Sequence, residues 1–403
     1  MKSAITNPGF LDPSFADNGR LIPSLSRAGG VRALAVDPQQ RLLYILQADE
    51  QFLLFRSDLN GGADTSFGTE GVVTGDFGPG LNSWASEVLV QGDGKIVVVG
   101  EVKDSPEKGR LAITRFDSNG ALDTLYGKRI IPLPTDTADV TRKPSAALDD
   151  DDSLLMAYNS GVVMDPEGRT RDTGWVVKVS PEGEPDPTFG AGTGFIDVRF
   201  SDANTILHAI GVQSDGRVVV VGAQGFHNSA VTESFAAVAG FSPDGQVDSG
   251  FGDGGLIISS MGNSGFYCMA LDKDHIVAAG HAFELQAMVT KYTAQGLIDE
   301  SFNGGRPHVV DDAPIAWHGT AVQPDDGKVV VGGEEMIATG MAIHARFHGD
   351  GMLDQGYGQQ ALIREGRGYV YYVAIQPGAQ RIILAGSYRV AGVDRPCLYG
   401  VSH

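Results

Sequence analysis

The chain has 403 residues, with 30 lysines and arginines against 50 aspartates and glutamates, a formal net charge of −20. A nucleic-acid binder needs a basic footprint to neutralise phosphates, and an anionic membrane surface repels so acidic a chain, so no nucleic-acid partner and no membrane insertion are expected. No apolar run approaches the roughly 18 residues that span a bilayer, while 55 glycines with only 20% charged residues suit many strands joined by tight turns.

Residues 1–10 read as a short lead-in without the apolar core of a secretory signal. A cytoplasmic location is the default expectation, with signal-less export left open. From residue 11 to 403 the chain divides into seven units of four short strands, a to d. Unit one has strands at about 20–24, 31–37, 41–48 and 51–57, and unit two at 71–77, 84–91, 95–102 and 110–117. Unit three has 128–133, 143–149, 153–159 and 173–180, and unit four 194–200, 205–213, 217–224 and 234–241. Unit five has 255–260, 265–271, 275–282 and 286–292, and unit six 306–311, 316–323, 328–335 and 340–347. Unit seven has 361–365, 369–376, 381–388 and 395–402. Runs such as Ile96-Val97-Val98-Val99 and Val218 to Val221 are β-branched and apolar on both faces, as strands buried between stacked sheets require. No segment combines helical periodicity with capping residues.

Two phrases recur. The first is an aspartate followed three residues later by an aromatic: Asp12, Asp64, Asp123, Asp186, Asp248, Asp299 and Asp354, with Phe15, Phe67, Tyr126, Phe189, Phe251, Phe302 and Tyr357. The second is a turn leading into an apolar strand, as in Gln91-Gly92-Asp93-Gly94-Lys95-Ile96-Val97-Val98-Val99-Gly100, repeated from Gln213 to Gly222 and from Gln323 to Gly332. Self-similarity at this spacing means a repeat architecture. The Asp-Gly turn favours a tight hairpin because glycine accepts positive φ. Together the phrases resemble the bacterial delta-60 repeat family over nearly the whole chain, departing in units one and three, where Asp37-Pro38-Gln39-Gln40 and Asp149 to Asp152 replace the Asp-Gly turn. The resemblance implies a β-propeller-like array and no single activity. The expected fold is all-β: a seven-bladed β-propeller with four antiparallel strands per blade. The anchor aspartates are expected to hold turns, and the aromatics to plug the wedges between blades. The anchor is expected to join the outer strand of one blade to the inner strand of the next.

The a–b and c–d connections vary widely between units, and in a meander they share one face; function is expected there. Trp84, Phe266, Tyr267, Trp317 and Tyr369 stand near the start of strand b. Exposed together they would stack on sugar rings or anchor a protein partner; the alternative is that they cap the blade cores. His281 ends strand c where Glu101 and Glu334 stand in other units, a polar set that a propeller could converge. Asp149, Asp150, Asp151 and Asp152 form an acidic turn that could hold structural calcium; no other cofactor is implied. Of the nine histidines, His344 and His348 are four apart, but on a strand that spacing sets them about 13 Å apart, too far for one metal, and no phosphate loop or nucleophile elbow occurs. Cys268 and Cys397 read as buried thiols on non-adjacent blades. The leading expectation is a non-enzymatic propeller presenting variable loops to a carbohydrate or protein partner. The alternatives are an enzyme acting on a glycan-like substrate with axial carboxylates, and a purely structural repeat.

Overall fold

The computed structural model describes residues 7–23, 28–105, 108–132, 139–140, 143–163, 170–200, 204–227, 232–283, 285–336 and 340–403. They form antiparallel strands joined by turns, with a single 3-10 turn at Pro377–Ala379 among them. Among the described residues no helix is long and apolar enough to cross a membrane. The apolar runs are buried as their composition requires: Ile96 to Val99 and Val218 to Val221 are each at most 1% exposed.

The strand order is shifted by one place from the expected one. Strands b, c and d of a unit pair in that order, and their fourth partner is strand a of the following unit. The first group is therefore Ala33–Val36, Leu42–Ala48, Gln51–Ser57 and Val72–Gly75. Strand b is the inner strand and strand a an outer one. The anchor phrase consequently links the third and outer strands of one group, rather than one blade to the next. It is too short to do otherwise: Phe116 and Leu122 already bridge across its turn, so the chain folds back onto its own sheet.

Two further differences appear. Leu362–Gln376 is one strand where two were expected. Its first part pairs with Met341–Phe347 and its second with Arg381–Val390, which merges groups six and seven into a seven-stranded sheet. Asp139–Val140 adds an unexpected short strand beside Leu154–Val163, giving a five-stranded sheet. The other four sheets have four strands, and among the described residues no sheet closes on itself.

The inner strands are Ala33–Val36, Ser83–Val90, Ser145–Leu148, Asn204–Val212, Gly265–Asp272, Ile315–Val322 and the second half of Leu362–Gln376. Each lies against the next, and the last lies against the first. The lead-in is tied to the other end of the chain: Gly9 N–H donates to the Ser402 carbonyl at 2.9 Å. Arg20–Leu21 pairs with Val393–Ser402 as the outer strand of group seven.

The anchors fasten each group to its neighbour. The Asp123 carboxylate accepts from the Leu125 and Tyr126 N–H groups and pairs with Arg115 at 2.9 Å. Arg115 lies 4.2 Å over the Tyr126 ring and donates to the Pro181 carbonyl of the next group. Tyr126 packs on Gly183 of that group, where a Cβ would fall 2.8 Å from the ring. All seven anchor aromatics are at most 3% exposed. The first anchor serves the last group: Asp12 pairs with Arg381 at 2.7 Å, and Arg381 reaches the Leu59 carbonyl of group one. Inner-strand glutamines make a second tie. Gln91 donates to the Asp152 carbonyl, Gln213 to that of Asp274, and Gln376 to that of Gln40. Both cysteines are free and buried, and burial pushes the Cys397 thiol up to about 12.

Candidate functional site

The glycine that ends the recurring apolar strand has a structural consequence at the centre of the molecule. Gly100, Gly222, Gly280, Gly333 and Gly386 face Ala85, Leu207, Phe266, Trp317 and Val370 of the inner strands. A Cβ at any of the five would overlap the carbonyl oxygen of Trp84, Ile206, Gly265, Ala316 or Tyr369, respectively. Only glycine lets the inner strand come this close. In each case the pairing then skips one inner-strand residue: Ser86, His208, Tyr267, His318 or Tyr371. A bulge of this kind leaves the extra residue unpaired and re-aims its side chain. In groups one and three Leu46 and Tyr158 occupy the glycine's place, and the inner strands pair without a skip. Arg32 and Pro144 are the matching inner residues there, each five places before the aspartate that ends the strand.

These positions meet in a cavity of about 1100 Å³ at the N-terminal ends of the inner strands. Arg32, Pro144, His208, Tyr267, His318 and Tyr371 contribute to its wall, whereas Ser86 is buried and its hydroxyl donates to the Val99 carbonyl. One side is aromatic. Tyr267 stacks on His281 and on His318, with ring centroids 5.0 and 5.3 Å away, and makes a T-shaped contact with His208 at 4.9 Å. His318 in turn meets the Tyr371 edge at 4.6 Å, and Tyr371 stacks on Tyr369 at 4.4 Å. Gly30 makes room for the Tyr369 hydroxyl.

The other side is charged. Arg32 and Lys103 lie over the Trp84 ring at 5.0 and 5.2 Å. Lys103 pairs with Glu101 at 3.2 Å, and Lys143 stands 4.0 Å from Glu87. Burial pushes the Glu101 carboxyl up against the pull of Lys103 and Arg32. Burial also raises Glu87 and lowers Lys143, favouring the neutral form of both. Both side chains line the cavity and keep some exposure there. Lys143 donates to the Tyr372 hydroxyl, which donates to the Arg32 carbonyl. Burial holds the phenols of Tyr369 and Tyr371 protonated. It also lowers His281, helped by the nearby His318, so that imidazole is neutral at pH 7. His281 Nδ1 is buried with no hydrogen-bond partner among the described residues. His318 Nε2 stands 3.4 Å from a Glu334 oxygen, in ion-pair range but off the line of a hydrogen bond.

Of the residues singled out from the sequence, Trp84, Tyr267 and Tyr369 line the cavity. Glu101, His281 and Glu334 stand beside them on the second strands, opposite Trp84, Gly265 and Ala316. Trp317 does not join them. It is fully buried between groups five and six, as the neighbour of a bulged residue pointing the other way, and Phe266 is buried likewise. Asp149 to Asp152 do not converge on a metal. Asp149 pairs with Lys178 at 2.9 Å, Asp151 accepts from the Ser153 N–H, and Asp152 accepts from the Gly92 N–H of the preceding group. No group of three or more metal-ligating side chains occurs among the described residues. Sequence reasoning missed Arg32, His208, His318 and Tyr371. The signal was present: each lies five residues before the Asp or Gln that ends its strand b.

A family profile described as a β-propeller domain of unknown function (DUF5122) matches residues 91–126, which span the second and third strands and the anchor of group two. No curated protein matches the sequence. The fold is similar to that of selenomethionine-substituted virginiamycin B lyase from Staphylococcus aureus, at 9% identity and a TM-score of 0.54, over 95% of this chain and 98% of that one. A catalytically inactive variant of that lyase, with quinupristin, gives 8% identity and a TM-score of 0.51 over 94% and 98%. The protein is thus an all-β, β-propeller-like molecule. At these identities the likeness is one of fold alone.

Proposed function

We propose that the chain forms one body over residues 11–403, a seven-bladed propeller of the delta-60 repeat type with Arg20–Leu21 completing the last blade, and that its axial cavity binds a polar, oxygen-rich small molecule of carbohydrate type. One observation carries this reading. The same register position in successive inner strands delivers His208, Tyr267, His318 and Tyr371 to a single cavity. Packing alone needs no imidazoles or phenols at a bulge. The aromatics act by their polar tips rather than their faces, because Tyr267 already stacks on two imidazoles and Trp84 carries two cations. Concave sites with a few convergent polar groups are where small ligands bind.

The test is thermal unfolding with monosaccharides and disaccharides, since a ligand at 100 times its dissociation constant adds about 2.7 kcal/mol. The expected result is an upward shift lost in His208→Ala. Sugar shifts that survive both His208→Ala and Tyr371→Phe place binding elsewhere. A panel without any shift favours a protein partner. A second reading, proton-transfer catalysis on the same ligand, is favoured by the His318–Glu334 contact. It predicts turnover of a bound sugar that Glu334→Gln abolishes while binding persists.

A further inference from the structure

We propose that the ligand of the axial cavity is an acidic sugar, whose oxyanion, a carboxylate or a phosphate, pairs with Arg32. This rests on the cavity reading above and narrows it.

Arg32 holds the ring position in group one, where Leu46 replaces the glycine and no bulge forms. Its side chain is exposed to the cavity, with the guanidinium 5.0 Å over the Trp84 ring. The other two cations on this wall already face carboxylates, Lys103 that of Glu101 and Lys143 that of Glu87. Among the described residues no carboxylate stands in ion-pair range of the Arg32 guanidinium, in a chain with 20 more acids than bases. An indole braces the flat fork from one side and leaves its donors for an oxyanion. That geometry suits bidentate contact with a carboxylate or phosphate better than a lysine would.

The opposite wall supplies what the rest of such a molecule needs. Protonated phenols at Tyr369 and Tyr371 donate to sugar oxygens. His281 brings an unsatisfied ring nitrogen, which a hydroxyl would satisfy. A cavity of about 1100 Å³ holds a mono- or disaccharide with water. A purely aromatic acid fits less well, because Tyr267 already stacks on two imidazoles and Trp84 already carries two cations.

The experiment is isothermal titration of the full chain at low salt with D-glucuronate, glucose 6-phosphate and D-glucose, for the wild type and for Arg32→Gln, Arg32→Lys and His208→Ala. At least one acid is expected to bind at least about ten-fold more tightly than glucose, a preference that Arg32→Gln removes and Arg32→Lys restores in part. The tighter acid identifies the oxyanion. His208→Ala is expected to weaken the acids and glucose alike. Glucose binding as tightly as both acids overturns the proposal, as does the absence of binding by either acid. So does an acid preference that survives Arg32→Gln. If that preference survives while His208→Ala weakens all three probes, the anion role falls and the cavity stands. If His208→Ala changes nothing, the cavity reading itself falls.

Discussion

Groups two and four to seven differ from groups one and three at a single register position, and the difference shows how a structural repeat acquires a site. Where glycine stands in the second strand, the inner strand bulges, and in groups four to seven it turns one side chain toward the axis. Where Leu46 or Tyr158 stands instead, the strand pairs regularly and the hydrophobic side chain fills core. The anchor end draws no such distinction. Phe67 in group one and Phe302 in group five are buried alike, each packed on a glycine of the following group, Gly120 or Gly351. One end of each group therefore sets the architecture, and the other is free to vary in chemistry.

The largest expected effect tests that separation. Phe67→Ala and Phe302→Ala should each cost about 3–5 kcal/mol in denaturant titration. If only one is costly, the anchors are not equivalent. Next is Gly280→Ala, whose Cβ must displace the Gly265 carbonyl. Overpacking of this kind costs roughly 1–3 kcal/mol, with sugar binding lost as well.

Acid should weaken the anchors at Asp12, Asp123, Asp299 and Asp354 together. Burial alone would raise the carboxyls of Asp12, Asp123, Asp299 and Asp354. Bonds from neighbouring hydroxyl or backbone donors and from Arg381, Arg115, His275 and Arg346 outweigh it and hold them below the ordinary 3.8. Because the folded values are the lower ones, this stabilisation is present above about pH 4. It is lost as pH falls through the folded values. The unfolding midpoint should decline steeply only below pH 4, and Asp123→Asn should shallow that decline. The smallest effect is expected at Ser86, a bulged residue that turns to the Val99 carbonyl. Ser86→Ala should cost about 1 kcal/mol and leave sugar binding intact.

Much of the fold was legible because its signals are local. Apolar β-branched runs, Asp-Gly turns and anchor spacing placed nearly every strand. Pairing partners were less legible, since strand a reads the same whether it opens one sheet or closes another; only its return across the anchor decides. The site was half legible. Trp84, Tyr267 and Tyr369 stood out as aromatics at strand starts, but so did Trp317, and nothing local told it apart from them. A bulge shifts the inward face by one residue, so Trp317 turns into the core and His318 to the axis. The glycine that causes the shift, Gly333, lies on another strand, and its meaning emerges only when the two strands are paired.

The most direct test is a crystal structure of Gly280→Ala. The account predicts that the pairing skip between Phe266 and Cys268 is lost or displaced, and that the Tyr267 ring leaves its stacking contacts with His281 and His318. An alanine accommodated with the skip intact and Tyr267 still stacked would contradict it.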